Sequence, residues 1–108
     1  MEKQTAGREN LGKLAPKFAE LNDDVLFGEV WSREDKLSLR DRSMITISAL
    51  MAQELYPQLK SHLVLGKKHG ITKDEVVEMI TQLAFYCGWA KAWSTFDLIK
   101  EVYGEDNE

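Results

Sequence analysis

The chain has 108 residues, 44% hydrophobic and 30% charged, with a net charge of −4 at neutral pH, and that length holds one small domain around one hydrophobic core. The composition excludes both a disordered chain and a membrane-embedded one, since no apolar run reaches the roughly 18 residues that a bilayer span needs. Lys67 and Lys68 form the only adjacent basic pair, so the clustered cations that would replace counterions on a nucleic acid are missing.

The first ten residues are polar and lack the apolar segment of a secretory signal. Cys87 is the single cysteine; it has no partner for an intramolecular disulfide and no second thiolate for zinc. The expectation is a cytoplasmic protein with no metal site.

In chain order, nearly every segment reads as helix. Gly, Pro, Asn and Asp are confined to joints, and neither strand alternation nor a hairpin signal occurs. Leu11, Leu14, Phe18 and Leu21 form one stripe, which predicts a first helix over about residues 8–21 in spite of Pro16. Asn22, Asp23 and Asp24 offer N-caps for a short helix reaching about Trp31, with Val25, Leu26 and Val30 as its apolar residues. Residues 32–36 are polar and predicted as a loop.

Ser38 starts the clearest helix, with Asp41 three positions later as the carboxylate of a capping-box variant, and Leu39, Ile45, Ile47, Leu50 and Met51 make much of it buried. A helix over residues 56–69 follows, closed by Gly70 as a left-handed stop. Thr72 and Glu75 form a capping box for the next helix, whose face carries Val76, Ile80, Leu83, Ala84 and Cys87. Gly88 breaks that helix. Trp89, Ala92, Trp93, Phe96, Ile99 and Tyr103 line the last one, and an acidic tail over residues 104–108 is expected to fray.

This pattern predicts an all-α domain of about five to six helices. A turn of about two residues after residue 69 predicts an antiparallel helix pair. Three tryptophans on so short a chain are a large apolar load, so part of that surface is expected to meet another subunit.

His62 projects from the face that carries Leu59, Leu63 and Gly66, and the chain has one other histidine. A titratable ring on an otherwise apolar face is either a structural hydrogen-bonding group or a proton handler.

The run Phe27-Gly28-Glu29-Val30-Trp31-Ser32-Arg33, then Leu37-Ser38-Leu39-Arg40-Asp41-Arg42-Ser43, then His62, resembles the carboxymuconolactone decarboxylase family. His69-Gly70-Ile71-Thr72-Lys73-Asp74-Glu75 looks like that family's helix joint, and Phe85-Tyr86-Cys87-Gly88 adds agreement before the last helix. The resemblance covers about residues 14–102 of a single domain spanning residues 1–108. It implies the alkylhydroperoxidase-like helical fold, self-association as a trimer or hexamer, and one of two chemistries. The redox branch carries a Cys-x-x-Cys-x-x-x-His motif and an upstream glutamate. With His62 as that histidine, Leu55 and Gln58 stand in the two cysteine positions and Ser43 in the glutamate's. Without a thiol pair, disulfide chemistry loses its basis.

The decarboxylase branch implies a cofactor-independent reaction on a small carboxylated lactone or related enolisable acid. The substrate is its own electron sink, so the protein has to hold carboxylates, stabilise an enolate and return a proton. The residues so implied are His62 as proton donor and Glu29 as its partner, with Arg40 and Arg42 as carboxylate-binding cations. Trp31 and Tyr86 are walls of the site. Glu29 either orients the ring or shuttles the proton. Trp31 and Tyr86 also fit plain core packing, and each arginine also fits an ion pair with Asp41 or Glu29. Gln82, where some members carry a second histidine, and Tyr56-Pro57 depart from the family pattern, which leaves the substrate open. A peroxide reductase and a non-catalytic oligomeric relative are the alternative functions.

Overall fold

A computed structural model describes residues 1–105; the expected fraying of residues 106–108 lies outside the described residues. The chain is helical, without a strand among the described residues, and it resolves into two compact units, Met1–Leu39 and Arg40 onward. No helix among the described residues is long and apolar enough to cross a membrane.

In the first unit, α1 (Ala6–Leu11) and α2 (Pro16–Glu20) precede a π-helical segment, Leu21–Trp31, that continues α2 without a break. The single helix expected through Pro16 is therefore two helices. Proline lies in the first turn of α2, where its missing N–H is not needed and its fixed φ suits a helix start. The interruption resets the helical phase, so the expected apolar stripe dissolves: Leu14, Phe18 and Leu21 are all exposed.

Residues 22–24 do not cap a new helix either, because the backbone is already helical at Glu20 (φ −59°, ψ −46°). The Asp23 carboxylate instead reaches back to α1, accepting the N–H of Gly7 at 2.9 Å and of Arg8 at 3.0 Å. Those are two of the donors a helix start leaves unsatisfied. Arg8 binds Asp24 through both guanidinium ends, at 2.9 and 2.8 Å. Trp31 is buried and stacks on Phe27, with ring centroids 5.7 Å apart. The irregular connection runs over residues 32–38, two residues beyond the loop expected over 32–36.

The second unit contains α3 (Leu39–Ala52, which begins at the boundary), α4 (Tyr56–Lys68), α5 (Lys73–Cys87) and α6 (Trp89–Tyr103). Its core joins Ile47 and Met51 of α3 to Leu59 and Leu63 of α4, Val76 and Ile80 of α5, and Ala92 and Ile99 of α6. On α3 the buried row is Ser43, Ile47 and Met51, at a spacing of four, while Ile45 faces outward. Both α4 and α5 pack chiefly on α6, more than on each other, so α6 is the element that closes the antiparallel arrangement expected from the tight joint.

That joint is a Schellman turn. Ile71 N–H bonds Gly66 C=O at 3.0 Å and Gly70 N–H bonds Lys67 C=O at 3.1 Å, with Gly70 at φ +95°. The α3–α4 turn repeats the pattern through Leu55 to Leu50 and Glu54 to Met51, both 3.0 Å, but its left-handed residue is Glu54 at φ +59°. The Thr72–Glu75 capping box forms as read from the sequence. Tyr103 closes the unit from α6, its hydroxyl donating to Ile71 C=O at 2.8 Å.

Candidate active site

The α4 face that carries His62 is the buried one: Leu59, Leu63 and Gly66 are inaccessible and the imidazole is half-buried, with Nδ1 shielded from solvent. Gly66 lies in a close approach there. A Cβ at this position would stand 3.0 Å from Ile47 Cδ1, 3.1 Å from Ile71 Cδ1 and 3.6 Å from Ser43 Cβ. Side chains of α3 and of Ile71 therefore pack tightly on α4 one turn from His62. Burial, and secondarily the charge of His69, hold the His62 imidazole below its ordinary value, because desolvation disfavours the charged ring.

His69, at the C-terminal end of α4, belongs in the sequence to the helix joint, with no site role assigned to it there. Its Nδ1 lies 2.8 Å from the hydroxyl of Ser43, which is fully buried. The available signal was spacing: residues 62 and 69 are seven apart, nearly two helical turns, and so share a face.

The two arginines stand in the first turns of α3, at the end of the unit where α4 finishes. Arg40 is bound to the carboxylate of Glu75, which also accepts the backbone N–H of Thr72 at 2.9 Å. The partner is therefore neither of the carboxylates named from the sequence. Arg42 is half-buried, and its carbonyl accepts the Thr46 hydroxyl at 2.7 Å. Tyr86 lies in the last turn of α5, 83% exposed. Glu29 and Trp31 belong to the first unit, where Glu29 is exposed near the end of the π-helical segment and Trp31 is buried in packing.

Between α5 and α6 lies an apolar groove of about 300 Å³, lined by Thr81, Ala84, Phe85, Trp89, Ala92, Trp93 and Phe96. None of the six residues expected at the site lines it. Phe85 and Trp89 meet edge to face, centroids 6.2 Å apart. Trp89 and Trp93 are 64% and 65% exposed. The α6 face differs in this from the stripe read in the sequence, because Thr95 takes a place in the core and turns the two tryptophans outward. Cys87 is half-buried against the core.

Fold and geometry define a small all-helical protein with two half-buried histidines along α4 and its C-terminal cap. Residues 16–101 match the carboxymuconolactone decarboxylase family, and the chain belongs to that family. It is 33% identical to a 4-carboxymuconolactone decarboxylase of Acinetobacter baylyi over 95 residues, 88% of this chain and 70% of the relative. An uncharacterised protein of Paracoccus denitrificans is 29% identical over 98 residues, 89% of this chain and 72% of that one. A nitrosuccinic acid decarboxylase of Metarhizium robertsii is 30% identical over 69 residues, 64% of this chain and 48% of that enzyme. The family match runs across the boundary between the two compact units.

Proposed function

We propose that the protein is a cofactor-independent carboxy-lyase acting on a small carboxylic acid, of the carboxylated-lactone type, whose own electron-withdrawing group holds the electron pair that carbon dioxide leaves behind. The observation that carries this reading is His62, a titratable ring half-buried on an otherwise apolar helix face in a chain similar to two named decarboxylases. In a lactone the C–CO₂ bond breaks into the conjugated carbonyl, a dienolate forms, and a proton returns to carbon. His62 supplies that proton.

A ring held below its ordinary value is a stronger acid once charged. A substrate carboxylate beside it favours the charged form, so loading of the proton is coupled to binding. Arg40 and Arg42 are the carboxylate-binding cations; Arg40 also holds Glu75 and contributes through its remaining donors. Tyr86 forms a wall of the site. The two compact units are parts of one family domain, and the protein works as a cytoplasmic trimer or hexamer, with the exposed Trp89–Trp93 face of α6 covered between subunits.

The test is incubation with 4-carboxymuconolactone while carbon dioxide release is followed. His62→Ala is expected to lower turnover by roughly a hundredfold or more with the helical spectrum intact, the scale of a lost general acid. Full turnover in that variant would remove His62 from the chemistry, and absence of release by the wild-type protein would remove the lactone.

A further inference from the structure

We infer that His69, anchored through Nδ1 to the buried hydroxyl of Ser43, is a positioning residue for His62: the two rings share one face of α4, and a proton on one opposes a proton on the other. The inference deepens the decarboxylase reading, on which its catalytic consequence rests. Its geometry stands on three observations. The rings are seven residues apart on one helix, about 10 Å along the axis and about 20° around it. Ser43 fixes the His69 ring at 2.8 Å from a site with no solvent exposure. Gly66 lies between them, packed against the buried Ile47, Ile71 and Ser43, so the face between the rings is protein and not water.

Few other charges intervene. From Ser43 to Ala52, α3 carries no ionisable side chain. At the His69 end stand Arg40 with Glu75, Asp41, Arg42 and Lys73 on α3 and α5, and Lys67 and Lys68 on α4 itself. Lys67 is turned to α6, where it donates to Val102 C=O at 3.1 Å and lies over the Tyr103 ring. From α6 come Lys91, Asp97, Lys100 and Glu101; Glu101 is paired with Lys60, Lys100 with Glu105, and Lys91 donates to Ala52 C=O. The remaining carboxylates of α5 are Asp74 and Glu78, and its phenol is Tyr86. After burial itself, the charge of His69 is what lowers His62.

The two rings therefore titrate as a pair, and the pH profile of the reaction belongs to both. A charge on His69 adds to burial in disfavouring the charged form of His62, and a substrate carboxylate opposes both. Ser43 sets how strongly, by keeping the second ring against the packed face instead of letting it swing into solvent.

The experiment is an NMR titration of both imidazoles in the full chain, beside the same titration of His69→Asn and Ser43→Ala. Asparagine suits a helix C-terminus and removes the charge. His69→Asn is expected to raise the His62 midpoint by a few tenths of a pH unit to about one unit, the range Coulomb's law gives at about 10 Å between protein and water dielectrics. Ser43→Ala is expected to move it the same way by less, and in the wild-type protein the His62 curve shows an inflection at the His69 midpoint. An unchanged His62 midpoint in folded His69→Asn would overturn the inference. If that variant does not fold, a wild-type His62 curve with a single unperturbed inflection does so instead. With lactone turnover, the same shift appears in the pH profile of kcat/KM while the plateau stays within a few-fold. Paired titration without any lactone turnover would refute the decarboxylase reading alone and leave the coupling standing.

Discussion

Gly66→Ala probes the crossing on which His62 and Ser43 both depend. The added methyl would stand 3.0 Å from Ile47 Cδ1 and 3.1 Å from Ile71 Cδ1, closer than ordinary carbon contacts, and both side chains belong to a core with almost no exposure. Replacing glycine by alanine inside a helix gains about 1 kcal/mol from backbone propensity. Overpacking a filled core costs about 1–3 kcal/mol. The clash prevails by about 1 kcal/mol, so the Tm falls by about 4–8 °C, the shift expected for a domain of this size.

Thermal and urea unfolding followed by circular dichroism measure it, and Ile47→Val supplies the internal control by removing the nearest methyl. Alone, that change costs about 0.5–1.5 kcal/mol; in the Gly66→Ala background it is expected to cost less or to stabilise, a coupling that a double-mutant cycle reads directly. A Gly66→Ala protein more stable than wild type by the full propensity gain, with no coupling to Ile47→Val, would refute the close crossing.

Glu54 holds a left-handed conformation that glycine adopts without strain, so Glu54→Gly is expected to stabilise the fold by up to about 1 kcal/mol in chemical denaturation. Thr72→Ala removes the hydroxyl that accepts Glu75 N–H at 3.1 Å and is expected to cost about 1 kcal/mol by the same measurement. His62 titrates lower when folded than when unfolded, so the unfolded chain binds more protons. Stability is then complete above the unfolded value of about 6.5 and declines as pH falls below it, and His62→Gln is expected to flatten that decline in denaturation curves taken at successive pH values. Cys87→Ala is expected to leave turnover within a few-fold and cost at most about 1–2 kcal/mol, whereas loss of a peroxidase activity would favour thiol chemistry. Light scattering at micromolar concentration is expected to find an oligomer, and Trp93→Glu to dissociate it; a stable wild-type monomer would leave the exposed tryptophans of α6 without that explanation.

The all-helical class and the last four helices were readable from local chemistry, because each boundary there is set by residues within one turn of it. Gly70 ends α4, Thr72 and Glu75 start α5, and Gly88 separates α5 from α6. The face carrying His62 was equally legible, since its apolar neighbours recur at helical spacing. Where the outcome depended on a partner distant in sequence, the same reading failed. Asp23 looks like an N-cap for the residues after it, yet its carboxylate caps α1 sixteen residues earlier. Arg40 looks paired with a carboxylate close by, Asp41 or Glu29, yet the carboxylate it holds is Glu75, thirty-five residues on. The Ser43–His69 contact spans twenty-six residues, and neither periodicity nor capping rules carry information across that separation. Trp89 and Trp93 share a stripe with Ala92 and Ile99 on paper, but only one side of α6 fits against α4 and α5, and the core filled that side with Thr95. A local pattern specifies which residues share a helix face. Which part of that face is buried, and which polar groups meet across the core, is decided by packing and by the hydrogen-bonding demand of buried atoms, both properties of the whole fold.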